Sequence, residues 1–132
     1  MSVHYAQLAR LVQHRARIAS PAIADRATSA TLRALAERVP DTVAATLAER
    51  LPPDLAAHLR DGLEASGVPD PALADDFVAL VAERTSLDAP RAASVARTVF
   101  RIVDLESGGG LASRPRGVLP EDVRDLVARS SR

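Results

Sequence analysis

The side chains able to do chemistry are few, and their spacing suits little of it. The histidines are His4, His14 and His58. His4 and His14 lie ten positions apart, which on one helix separates them by about 80° of azimuth. No His-Glu-x-x-His and no other ligand pair is present, so the three read as surface or partly packed residues. Asp70, Asp75 and Asp76 cluster, with Asp61 and Glu64 close in sequence. A calcium loop needs alternating oxygen donors around a central glycine, and that pattern is missing. Asp70, before Pro71, reads as a helix cap. Asp75 and Asp76 then fall in the first helical turns, where the macrodipole favours acids. The chain has no cysteine, which excludes disulfides, thiolate nucleophiles and zinc–sulfur sites. Gly-x-Ser-x-Gly does not occur, and Gly108-Gly109-Gly110 lacks the Gly-Lys-Ser/Thr of a phosphate loop. The expectation is a protein without enzymatic activity, metal or cofactor.

Arginine is the more informative polar residue. Gln7, Arg10, His14 and Arg17 recur at i, i+3, i+7 and i+10, opposite an apolar stripe. Arg97 and Arg101 share a face further on, with Asp104 placed to neutralise Arg101. The C-terminal third adds Arg114 and Arg116. Net charge is zero but segregated. Residues 1–38 hold six Arg against two acids, residues 41–90 three against ten, and residues 91–132 eight against five. An acidic middle between basic ends pairs internally, with a partner, or head to tail with a second copy. Arg10, His14, Arg17, Arg114 and Arg116 on the basic side, and Asp75 and Asp76 on the acidic side, are therefore the candidate interaction residues. Nucleic-acid phosphates held by Arg10, Arg17, Arg114 and Arg116 are the alternative. Zero net charge and the lack of a recognition motif weigh against it.

These residues need elements to carry them. The chain is long enough, at 132 residues, for one domain that buries a core without staples. Aromatics make up only 2%, so the core must come from Leu, Val, Ile and Ala. Tyr5, Leu8, Leu11 and Val12 set a helical stripe and predict a first helix near 3–17. Ser20-Pro21 starts a second, running to about Val39, because serine caps and proline suits a first turn. Arg33 and Glu37 form an i,i+4 pair within it. Pro40 stops it, and Asp41 caps a third helix through about Arg50. Pro52-Pro53 start a fourth, ending near Gly62. Residues 62–71 read as a linker. A fifth helix carries Leu73, Phe77, Leu80 and Val81, and a sixth spans about 88–105. Glycine and proline make 107–118 a loop with room for one helical turn, and a last helix runs from Pro120 to about Ala128. Every strong period is helical, so the fold class is all-α, a compact bundle of seven to eight helices. Met1 to Gln7 lacks the pattern of a signal peptide. The longest apolar run, Phe77 to Ala82, is far short of a membrane span. A cytoplasmic protein is the expectation.

The two halves echo each other. Leu51-Pro52-Pro53-Asp54-Leu55 returns as Leu119-Pro120-Glu121-Asp122-Val123, 68 positions later, and Leu32, Leu35 and Leu59 match Phe100, Val103 and Val127. The expectation is two duplicated antiparallel helical units, about 3–62 and 71–130. Leu32-x-x-Leu35 with the first leucine-proline motif, repeated as Phe100-x-x-Val103 with the second, resembles the bacterial family of domain of unknown function 2267. The resemblance runs from about Tyr5 to Val127. It implies an all-helical, internally duplicated, soluble bacterial protein, from a family linked with stress-related genes, and it offers no catalytic residues to carry over. The functional expectation is an interaction module, an adaptor or self-associating scaffold. Its partner is an unknown protein or a second copy, and no membrane is involved.

Overall fold

Eight alanines, threonines and leucines are buried along one helix, and the other elements are arranged around it. The computed structural model of the chain describes residues 4–65, 77–111 and 121–130. Among the described residues there are seven helices and no strand. In chain order they are α1 (Tyr5–Arg15), α2 (Pro21–Arg38), α3 (Asp41–Arg50), α4 (Pro53–Ala65), α5 (Phe77–Thr85), α6 (Ala89–Glu106) and α7 (Glu121–Ser130). α2 starts as the sequence predicts, with Pro21 in its first turn and the Ser20 hydroxyl accepting from the Ile23 N–H. It packs against α1, α3, α4, α5 and α6.

Small side chains make that crowding possible. Ala24, Ala27, Ala34 and Ala36 are all buried, with Leu32 and Leu35 between them. Thr28 and Thr31 are also buried, and each hydroxyl donates to the carbonyl four residues back, at 2.8 and 2.7 Å. A buried hydroxyl satisfied on its own helix needs no partner across the interface. Thr85, Thr98 and Ser107 use the same device.

α6 mirrors α2 in length and burial. Both have 18 residues, and their first and last residues are each 68 positions apart. Ala24, Leu32 and Leu35 are buried on α2, and Ala92, Phe100 and Val103 are buried at that offset on α6. α4 and α7 also begin 68 positions apart. The packing is crossed: α1 lies on α6 as well as α2, and α5 lies on α2 as well as α6. The Phe77 and Phe100 rings meet at 4.8 Å between α5 and α6. Arg84 on α5 grips Glu37 on α2 with two hydrogen bonds of 2.5 and 2.8 Å. The expected Arg33–Glu37 pair therefore gives way to a tertiary one, and Arg33 sits instead 3.7 Å from Asp61 of α4. The carboxylate that can reach a fixed guanidinium on another helix gains two oriented bonds, which a pair along one exposed face does not supply.

One glycine reading needs correction. α4 does not end near Gly62 but continues through it to Ala65. Gly62 is buried against α2, and a methyl group there would lie 2.6 Å from the Arg33 carbonyl oxygen and 2.9 Å from the Ala36 methyl. It marks a close helix crossing, not a stop. The glycine run after α6 opens the expected loop as a tight cap. Gly108 and Gly109 take φ of 68° and 85°, conformations that glycine adopts without a Cβ penalty. Their N–H groups donate back to Leu105 and Asp104 carbonyls at 3.2 and 2.7 Å. The Gly110 N–H donates to buried Ser107 Oγ, and the Leu111 N–H to the Asp104 carboxylate, each at 3.0 Å. Asp104, expected to neutralise Arg101, is here a turn-former. Residues 112–118 of the expected loop and residues 66–71 of the expected linker lie outside the described residues. Asp41 is also not a cap: it is the first residue of α3, behind Pro40.

Gly62→Ala should destabilise the fold. Helix propensity alone favours alanine by about 1 kcal/mol, whereas forcing α2 and α4 apart costs about 1–3 kcal/mol. Urea unfolding gives the sign, and a raised midpoint would contradict the close crossing.

Candidate functional site

The outer face of α1 holds the described part of the predicted interaction set. Arg10, His14 and Arg17 are all exposed, and Arg15 joins them. α1 contains no acidic residue. Neither these three arginines nor His14 has an ion-pair partner among the described residues, in contrast to Arg33, Arg84 and Arg91. Arg17 is not in the helix. It takes a left-handed φ of 55° just past the C-cap. The Arg17 and Ile18 N–H groups return to His14 and Gln13 carbonyls at 3.4 and 2.9 Å, and buried Ile18 anchors the turn. Arg15 and Arg17 thus sit at the C-terminal end of α1, where the helix dipole favours positive charge, and Arg10 lies in mid-helix. Asp75, Asp76, Arg114 and Arg116 lie outside the described residues.

The opposite end of α1 is held by a polar junction that spacing along the chain does not announce. The Tyr5 N–H, first of the helix, donates to Asp54 Oδ2 on α4 at 2.7 Å. α1 has no acid of its own in its first turn, so α4 supplies one. His4 Nδ1 lies 3.7 Å from the same oxygen. The Tyr5 hydroxyl donates to the Asp25 carbonyl on α2 at 2.7 Å. Its ring stacks on His58 of α4, centroid to centroid 4.4 Å with planes 27° apart. Tyr5 therefore joins three helices through its backbone, its ring and its hydroxyl.

Electrostatics fix the protonation of this junction. Burial, then the Asp25 contact, push the Tyr5 phenol up to about 12. Burial first and the Arg33 guanidinium second hold His58 below its ordinary 6.5, against weaker opposing pulls from Asp61, Asp25 and Asp54. At neutral pH the junction is thus a neutral phenol stacked on a neutral imidazole. The Tyr5 proton points at a peptide carbonyl and not at the imidazole, so the pair is arranged to hold α1 and not to transfer a proton. Among the described residues, no three His, Asp or Glu side chains converge as metal ligands. Sequence reasoning took His58 as partly packed and missed its partners. The only advance signal was that Tyr5 is the sole tyrosine.

Two outcomes follow. Ultraviolet titration of the sole tyrosine should show ionisation near 12 and not at 10.0 while the chain is folded. The native state keeps this proton, so Tyr5 contributes its full stabilisation below pH 10.0 and loses it as pH rises towards about 12. Tyr5→Phe keeps the stack and removes one hydrogen bond, which should lower stability by about 0.5–1.5 kcal/mol in urea unfolding.

No curated protein and no solved structure matched the chain. A family model did match, over residues 5–126, from the tyrosine of this junction into α7. With nearly the whole helical array inside that span, the chain belongs to the family described as an uncharacterized conserved protein, DUF2267.

Proposed function

We propose that the protein is a non-enzymatic helical interaction module, an adaptor or self-associating scaffold, that uses the outer face of α1 to dock an acidic surface. The observation that carries this reading is the exposed group of Arg10, His14, Arg15 and Arg17, without an ion-pair partner among the described residues. Arginines clustered from the middle of α1 to the turn after it raise the local potential and steer an oppositely charged partner. The segregated sequence charge supports the same reading, because a second copy carries an acidic middle that complements this face. The proposed setting is the bacterial cytoplasm, with a link to stress responses, on the resemblance of the repeated leucine-proline motifs. Among the described residues, no helix is long and apolar enough to cross a membrane.

The test is charge reversal on the proposed face. Tagged wild type and the Arg10→Glu, Arg17→Glu double variant are used to capture partners from native-host lysate, in nuclease-treated and untreated halves. Sedimentation of each purified protein at low salt checks self-association. The reading expects a protein partner, or a second copy, that survives nuclease and that the variant binds about ten-fold or more weakly, about 1.4 kcal/mol. Equal binding by both proteins would remove α1 as the surface. Binding lost with nuclease, and falling steeply with salt, would transfer the function to nucleic acid.

A further inference from the structure

We infer that the Tyr5–His58 stack is an acid-released latch, which holds the first turn of α1 on α2 and α4 at neutral pH and lets it go when His58 takes up a proton. The inference is independent of what α1 docks. It begins from one atom. His58 Nδ1 is buried and is the one buried side-chain nitrogen or oxygen without a hydrogen-bond partner among the described residues. An unprotonated Nδ1 leaves one neutral acceptor without a hydrogen bond, a smaller cost than an unpaired charge. A proton on Nδ1 turns it into a charged donor facing no acceptor, which is costly.

The surroundings decide whether that cost can be relieved in place. From α2, the Arg33 guanidinium opposes a positive His58, while Asp25 favours it. From α4 itself, Asp61 and Asp54 favour it, but both are already engaged. Asp61 pairs with Arg33. Asp54 takes the Tyr5 N–H and the Leu55 N–H. From the N-terminal side of α1, His4 Nδ1 lies 3.7 Å from the same Asp54 oxygen. Attraction between an imidazolium and the Tyr5 ring would work the other way and tighten the stack. Burial and Arg33 prevail in the balance, since His58 is held below its ordinary value. The relief left open is motion. Moving the Tyr5 ring off the stack would give up its contact with His58, its hydroxyl bond to the Asp25 carbonyl and its packing on the edge of the core. Leu8 and Val12, deeper on α1, stay in the core.

The sole tyrosine, in a chain without tryptophan, reports on the latch directly. Acrylamide quenching of Tyr5 emission is measured between about pH 8 and 5, the window in which histidine changes charge. Wild type, His58→Phe and His4→Gln are compared, with helical circular dichroism recorded in parallel. His58→Phe keeps an aromatic ring over Tyr5 and cannot titrate. The expected result is quenching that rises in acid with a midpoint below 6.5, in wild type and His4→Gln but not in His58→Phe, at constant helicity. Flat quenching in wild type overturns the latch, as does an equal rise in His58→Phe or loss of the rise in His4→Gln. Global loss of helix over the same range overturns a local release. If His58→Phe does not fold, the His58 ring protons decide by nuclear magnetic resonance, assigned by elimination with His4→Gln and His14→Gln. A His58 midpoint separate from that of Tyr5 quenching overturns the proposal.

Discussion

A methyl group at Gly62 would stand 2.6 Å from the Arg33 carbonyl oxygen, so α4 lies almost on the backbone of α2. That crossing sets the terms for the rest of the molecule. A chain with 2% aromatics cannot fill wide gaps between helices. It must bring backbones together so that alanine methyls reach across. Ala36 meets Gly62 at the crossing, and Ala24, Ala27 and Ala34 line other buried faces of α2. Each small side chain buries little area, but close approach recovers dispersion contacts that a gap would forfeit. It also places Arg33 and Asp61, one on each helix, within 3.7 Å.

Polar side chains that link helices, such as Arg84 with Glu37 and Arg33 with Asp61, lie towards the surface, and the buried hydroxyls stay on their own helices. Buried threonines turn their hydroxyls back to their own helix. The N-terminus of α1 stands apart because its polar needs are met from other helices. Asp54 takes the Tyr5 N–H, and the Asp25 carbonyl takes the Tyr5 hydroxyl. A carboxylate near the positive end of the α1 dipole is favourable wherever in the chain it comes from. This end of α1 therefore depends on tertiary structure that its own sequence cannot replace, and the His58 ring completes it without a partner for its own nitrogen.

Helix starts were legible in the sequence because caps and prolines act over a few residues. Ser20-Pro21 opens α2 as the sequence predicts, and the structure adds Asp88, which caps α6 by accepting from the Arg91 N–H. Glycine was not legible in the same way. Gly62 and Gly108 look alike in sequence, yet one permits a crossing and the other a left-handed turn. Only the neighbours tell the two uses apart. The polar junction was illegible for a related reason. Tyr5, Asp25, Asp54 and His58 come from three helices, and no local period connects them. Arg10 and His14 could be read because one helical period holds them together. Even there, the left-handed turn at Arg17 is a property of how the helix ends.

The same 68-residue offset that relates α2 to α6 shows where the two halves differ, and the differences fall on polar positions. His58 corresponds to Leu126, and Asp25 to Ala93. Leu126 is buried at the place where the first half carries a partly buried imidazole. The apolar positions, by contrast, agree: Leu55 and Leu59 correspond to Val123 and Val127, all buried. A leucine can fill such a site at any pH. A histidine ties the packing of the site to its charge. Among the described residues the buried apolar pattern recurs at this offset, whereas the His58 imidazole has a leucine at its counterpart.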